Sequence, residues 1–280
     1  MLAKKSLTEV LDAFSSSDPT PGGGSAAALA GALGASLLAM VAGLPRTKTN
    51  APEERAALDT ARAKILDLRT RLIDLIDRDA AAYDTVVAAY RLPKATDDEK
   101  AARKTAIQDA LKLATEIPVE TCLAVNDVVR QADAVAASGN PSAGSDIAVA
   151  LQLLGIAGQG ALFNVEANIG SVTDKEFAAG ITGRVKQSYA GTSEAIRGAY
   201  ESAGVIELMK GMAARFGSLH GQARGGEKPP ADVLIRSAVE ALRIAGSADA
   251  RRALEALAQS ADEKISRPAA DALAKLTAPD

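Results

Sequence analysis

The sequence predicts an all-α protein, an antiparallel bundle of five or six helices with a helical extension at the C-terminal end. Three observations carry this reading. Apolar residues recur at intervals of three and four through most of the chain, and almost no stretch alternates β-branched with polar residues. Ser/Thr and Glu pairs at capping-box spacing, together with several prolines, fall where such helices would begin. With 280 residues, 48% of them apolar, the chain is long enough for one or two domains with a sizeable core.

The elements follow in order. Ser6 with Glu9 makes a capping box that opens a short first helix, ending in the polar cluster 15–18. A loop follows, Pro19-Thr20-Pro21-Gly22-Gly23-Gly24-Ser25, and Ser25 is the natural N-cap of a small-residue helix reaching about Gly43. Its many Ala and Gly residues allow close packing and place it in the middle of the bundle. Pro52, at a first turn, starts a long helix that runs to about Tyr90 before Leu92-Pro93 breaks it. Thr96 with Glu99 forms a second capping box, opening a helix that continues towards Ala137. Pro118 lies inside that helix. It lacks an amide proton and clashes with the carbonyl of Ala114, which predicts a kink and a carbonyl left free near the bundle interior. After Ser138-Gly139-Asn140-Pro141, two further helices are expected at about 145–170 and 173–203.

The last stretch differs in character. Beyond a Gly/Pro-rich linker at 217–230, Arg236-Ser-Ala-Val-Glu-Ala-Leu recurs as Arg267-Pro-Ala-Ala-Asp-Ala-Leu, in the manner of a HEAT-type helical repeat. A free-standing solenoid needs about three units, more than are visible here. The tail 231–280 therefore either docks on the bundle 1–216, a second subunit or a protein partner, or forms a plain hairpin completing the core.

Composition excludes several functions. A net charge of -3 and an aromatic content of 3% argue against nucleic acid. The longest apolar stretch, 26–43, is short and rich in Ala and Gly, and residues 1–12 lack a signal-peptide core, so no membrane association is expected. Cys122 is the sole cysteine, which rules out a disulfide framework and a thiolate metal cluster and fits a reducing cytoplasm. It lacks the basic neighbours that favour a thiolate and reads as core filler. His220 is the sole histidine, which excludes histidine-rich metal sites and argues against a Ser/His/Asp triad.

One residue breaks the pattern of the long helix. Leu58, Ala61, Ile65, Leu68, Leu72, Leu75, Asp79, Ala82 and Val86 share a face, and Asp79 alone is polar. An ionised carboxylate buried there costs several kcal/mol, as an order of magnitude, unless it is paired, protonated or set against a polar cavity. Asp79 thus has either a partner, such as an arginine, or a chemical task.

Several motifs in order are more specific than any one alone. These are Pro19-Thr-Pro-Gly-Gly-Gly-Ser25 opening an Ala-rich helix, Asp79-Ala-Ala-Ala-Tyr83, and Leu92-Pro-Lys94 followed by Glu99-Lys-Ala-Ala-Arg103. Ile117-Pro-Val-Glu120, then Gly139-Asn140 with Ser145-Asp146, and Asn164-Val165-x-x-Asn168 complete the series. Together they resemble the cyclodeaminase/cyclohydrolase family of folate enzymes over about residues 6–203. The resemblance implies an all-helical bundle that dimerises, uses neither metal nor organic cofactor, and acts on a tetrahydrofolate derivative.

Carried over residue by residue, the family's acidic catalytic position falls on Asp79. Gly22, Gly23, Gly24 and Ser25 match the glycine-rich segment lining the folate cleft. On physical grounds, glycines before a helix present free amides to an anion or carbonyl, and equally serve a tight turn. Asp146, a second catalytic candidate, stands at a predicted helix start, where a carboxylate also suits the helix dipole. Asn164 and Asn168, four apart, project from one face and either read a pterin edge or cross-link two helices. Tyr83 belongs to the same substrate-binding set. Arg46 and Lys48 stand where relatives often carry a Gly-Lys-Lys-Lys-Tyr type stretch, and either receive the glutamate tail of folate or form a solvated loop. The resemblance implies hydrolysis of 5,10-methenyltetrahydrofolate or, as a close alternative, cyclodeamination of the 5-formimino compound. The lack of a preceding formiminotransferase domain and the Leu92-Pro-Lys94 run favour hydrolysis. A non-catalytic helical adaptor working through the tail is a third reading.

Overall fold

The computed structural model describes residues 1–204, 254–255, 257–259 and 263–277. The chain divides into two compact units, Met1–Leu208 and Met209–Asp280. Among the described residues the regular structure is entirely helical. In the first unit α1 spans Leu7–Ser15, α2 Gly23–Ala42, α3 Pro52–Tyr90, α4 Asp97–Ser138, α5 Gly144–Ile169 and α6 Lys175–Ser202. The second unit contributes α7, Glu263–Thr277.

Both capping boxes form. The Ser6 hydroxyl accepts from the Glu9 amide at 3.4 Å while the Glu9 carboxylate accepts from the Ser6 amide at 2.8 Å, and Thr96 with Glu99 repeats the exchange at the start of α4. Pro52 occupies the first turn of α3 as expected.

The five long helices run alternately up and down, with α2 at the centre against α5 on one side and α3 on the other. Small residues set this closeness. Gly23 lies beside Asn164, Gly160 against Ala27, and Gly34 against Ala150 and Leu154, an antiparallel pairing of α2 with α5. A Cβ at Gly34 would fall 2.8 Å from the Leu154 side chain and 2.9 Å from the Ala150 carbonyl, so only glycine permits this separation. Across the other face, Gly24 abuts Asp79, Gly31 abuts Leu72 and Gly43 abuts Arg62, an antiparallel pairing with α3. The core between them is dry and aliphatic: Ala35, Leu38, Leu72, Leu75, Val125, Val128, Leu151 and Leu154 are completely buried.

The C-terminal end of α2 is closed by arginines from α3. Arg55 donates to the carbonyls of Ala42 and, at 2.9 Å, Leu44, and Arg62 donates to the Ala39 carbonyl at 3.2 Å. Cations there satisfy orphan carbonyls and oppose the negative end of the helix dipole.

Two expectations change. Ser25 is not an N-cap: α2 begins at Gly23 with Gly22 as its cap, and Ser25 lies buried in the first turn. The glycines leave the helix end bare, so a carboxylate from α3 reaches it in place of a local cap. α4 continues through Pro118 as expected, but the carbonyl of Ala114 is not left free and accepts from Asn168 Nδ2 at 2.8 Å. The proline removes one intrahelical donor and an asparagine from α5 replaces it.

In the second unit, Leu254, Ala269 and Ala272 form a small buried cluster with Leu257, Ala258 and Leu273 packed against it. The Arg267 copy of the expected repeat lies in α7, whereas the Arg236 copy and the boundaries at 216 and 230 lie outside the described residues.

Candidate active site

Asp79 lies at the N-terminal end of α2. A Cβ placed on Gly24 would fall 2.1 Å from Asp79 Oδ1, so the carboxylate occupies the space a side chain would otherwise fill. Behind it, the Ser25 hydroxyl is 2.8 Å from Oδ2. Burial pushes the carboxyl above the ordinary carboxylate range, while hydrogen bonds from the Ser25 hydroxyl and amide pull in the opposite direction. Among the described residues no arginine or lysine pairs with it.

In front of Asp79 opens a cavity of about 300 Å³. Gly22, Gly23, Gly24, Tyr83, Asn164 and Asn168 line it, so much of the set picked out from sequence converges on one place. The two asparagines are partly committed to the fold: Asn164 Nδ2 donates to the Gly160 carbonyl at 2.8 Å, and Asn168 Nδ2 to that of Ala114. Each still has its amide oxygen and one N–H, enough to offer both an acceptor and a donor. Tyr83 is 43% exposed and forms a wall at the mouth. The arrangement joins one carboxylate of raised proton affinity, a bare helix terminus and amide groups within a mostly apolar cleft, a combination suited to moving a proton on a polar ligand. Among the described residues, no group of three or more His, Cys, Asp or Glu side chains is placed to hold a metal ion.

Sequence reasoning missed Pro19, Thr20, Val86, Leu111 and Ala114, which also line the cleft. Val86 was legible, since it sits two turns beyond Asp79 on the same seam. Leu111 and Ala114 were signalled only indirectly, by the proline one turn further on. Ser25 does not line the cavity.

Three candidates are not brought here. Asp146 is in the first turn of α5, eighteen residues before Asn164 on that helix, a separation of about 27 Å at about 1.5 Å per residue. Arg46 and Lys48 follow the C-terminal end of α2, whose 20 residues span about 30 Å. Both are exposed, and the Lys48 amide bonds the Ser138 carbonyl at 3.0 Å. Sequence proximity to a helix end is no guide to which end of the bundle that is, and the length of α2 and α5 separates these residues from Asp79. Cys122 is buried, its thiol pushed up to about 12 by burial, and it packs as core.

The chain is similar to several known proteins. The chain is 42% identical over 179 residues to a methenyltetrahydrofolate cyclohydrolase from Methylorubrum extorquens, covering 64% of this chain and 86% of that protein. It is 32% identical over 176 residues to a formimidoyltransferase-cyclodeaminase from Gallus gallus, covering 63% of this chain but only 32% of that longer protein. Among solved structures, a formiminotetrahydrofolate cyclodeaminase from Thermotoga maritima superposes with a TM-score of 0.66 at 24% identity, over 74% of this chain and 99% of the other, and so shares the fold. Residues 6–187 match the family model described as formiminotransferase-cyclodeaminase, and the chain belongs to this cyclodeaminase/cyclohydrolase family of folate enzymes.

Proposed function

We propose that the protein is a methenyltetrahydrofolate cyclohydrolase with Asp79 as its general base. The observation that carries the chemistry is the half-buried Asp79 carboxyl, facing a cleft, free of any cationic partner among the described residues, and raised in proton affinity by its surroundings. Hydrolysis is preferred to cyclodeamination because the alignment with the Methylorubrum extorquens cyclohydrolase is the stronger one and covers 86% of that protein.

Water adds to the cationic amidine carbon between N5 and N10 of 5,10-methenyltetrahydrofolate, and Asp79 takes the proton it loses. The tetrahedral adduct then opens at the C–N5 bond, Asp79 returns that proton to N5, and the second hydroxyl proton leaves to solvent as the N10-formyl carbonyl forms. The products are 10-formyltetrahydrofolate and one proton. The positive charge of the substrate opposes the effect of burial and keeps Asp79 ionised while substrate is bound. Asn164 and Asn168 fit the donor and acceptor edge of a pterin, and Tyr83 fits the wall beside the adjoining ring.

The family resemblance also supports a homodimer. Leu33 and Met40 on α2, with Val149, Ile156 and Phe163 on α5, are all exposed at spacings of seven, two apolar stripes on adjacent helices that a second copy would cover. The buried free thiol of Cys122 suits a cytoplasmic protein.

One pair of assays tests the activity. Loss of methenyl-folate absorbance that accelerates with enzyme is expected. Appearance of that absorbance from 5-formiminotetrahydrofolate with ammonia release, and no acceleration of hydrolysis, would assign the cyclodeaminase reaction instead.

A further inference from the structure

Ser25 belongs to the glycine-rich segment expected to touch substrate, yet it is completely buried and absent from the cleft wall. Its hydroxyl lies between two acceptors, Asp79 Oδ2 at 2.8 Å and the main-chain carbonyl of Ile76 at 3.0 Å. One hydroxyl proton serves one of them fully at a time. We propose that Ser25 is a positioning residue that anchors Oδ2 of Asp79 and leaves Oδ1 as the oxygen exchanging protons with substrate. This deepens the general-base reading given above and rests on it for the reaction concerned.

The geometry divides the labour within the carboxylate. Oδ2 is tied to Ser25, whereas Oδ1 lies closer to the position a Cβ of Gly24 would take, and Gly24 is part of the cleft wall. When Asp79 is ionised, the Ser25 hydroxyl donates to it. When Asp79 is protonated on Oδ1, Oδ2 is still an acceptor and the Ser25 hydroxyl stays on it, more weakly than on the anion. Ser25 never parts with its own proton, so the proton taken from water reaches N5 through Asp79 alone. Because the anchored oxygen is not the one that exchanges the proton, the hydroxyl holds the aspartate in one place in both states.

The surroundings leave Ser25 as the main polar influence. Of the residues lining the cleft only Asp79 and Tyr83 titrate, and the faces contributed by α2, α4 and α5 present Gly22, Gly23 and Gly24, Leu111 and Ala114, and Asn164 and Asn168. Three charged groups on the flanking turns are engaged elsewhere. Asp77 accepts from the amides of Leu2 and Ala3, Arg78 forms a bidentate pair with Glu120, and Lys112 pairs with Asp174 at 2.7 Å.

The test uses Ser25→Ala and Ser25→Thr in the full chain. In Ser25→Ala the acid limb of the pH profile of kcat is expected to move upward by about one pH unit, because the anion loses a donor. KM should stay within about twofold, since Ser25 touches no substrate, and Ser25→Thr, which keeps the hydroxyl, should restore the limb. An unmoved limb with raised KM would make Ser25 a substrate contact, and an equal loss of turnover at every pH would make it packing alone; either result overturns the proposal. A ¹³C carboxyl titration of Asp79 in the ligand-free protein, assigned by its disappearance in Asp79→Asn, is independent of the reaction. If no folate turns over, the function is wrong but this titration still decides Ser25, and an unchanged midpoint in Ser25→Ala refutes its role.

Discussion

At the C-terminal end of α2, Arg55 and Arg62 donate into the last carbonyls, and at the N-terminal end Asp79 is pressed against the first turn. Both ends thereby oppose the helix dipole. They differ in how completely the charge is matched. Arg55 is shared between carbonyls and the carboxylate of Asp59, 2.9 Å away, and its side chain is 31% exposed, so water helps to solvate it. Asp79 has Ser25 and the helix end, and burial holds it above the ordinary range. The same electrostatic device thus stabilises the fold where the charge meets a countercharge and stores proton affinity where it does not, which is what a general base requires.

The sharpest way to break this contrast is Asp79→Asn. Turnover should fall by about a thousandfold, measured as kcat at saturating substrate, because the proton acceptor is gone while the shape remains. The same variant should melt a few degrees higher near neutral pH. The sign follows from the raised folded-state pKa. The folded protein binds the Asp79 proton more tightly than the unfolded chain, so the stability it contributes is present at pH below the ordinary value and is lost as pH rises through the folded value. Near neutrality the carboxylate is a net penalty that asparagine removes, and calorimetry at pH 3.5 should find the advantage gone. A variant less stable at neutral pH would mean that Asp79 is held as firmly as the arginines. Gly24→Ala comes next. Its methyl would meet Oδ1 at 2.1 Å, so Asp79 must move, and a loss of about a hundredfold in kcat is expected, since displacements on the order of 1 Å misalign proton transfer.

The cleft end was more legible in the sequence than the arginine end. Asp79 stood out because a carboxylate interrupted a seam of hydrocarbons, and the prolines and capping boxes marked where α1, α3 and α4 begin. Ser25 was misread as a cap because the local pattern fits one, whereas its acceptors come from α3, fifty-one and fifty-four residues on. No spacing rule reaches that far. The Ala114 carbonyl was foreseen as freed by Pro118, but its donor, Asn168, lies on another helix and became visible only once α4 and α5 were packed. Arg55 and Arg62 carry no local signal of their role, although both stand three or four residues from Leu58 on the seam. Their carbonyl partners follow from the antiparallel register of two helices, a tertiary fact set by the glycines of α2.

Arg55→Met tests the other end. It removes a donor to the last carbonyl of α2, a donor to the Leu44 carbonyl just past it and the ion pair with Asp59 but keeps much of the apolar stem, so a loss of about 1–3 kcal/mol is expected in chemical denaturation. Turnover per folded molecule should be unchanged, because about 30 Å of helix separates this end from Gly23. A fall in kcat comparable to that of Gly24→Ala would show that the two ends are coupled through α2.

The smallest effect is expected from Arg46→Ala combined with Lys48→Ala. Neither side chain makes an ion pair among the described residues, and both lie beyond the arginine-closed end of α2. A folate with one glutamate bound at Asp79 in the same copy does not reach them, so its KM should stay within about twofold. A tenfold rise with this monoglutamate substrate would break the contrast in an informative way. Since one copy keeps these residues about 30 Å from its own cleft, only a second copy bringing its arginine end to this cleft would explain it. The double variant therefore measures whether the two ends of α2 are independent within one chain or are joined across a dimer.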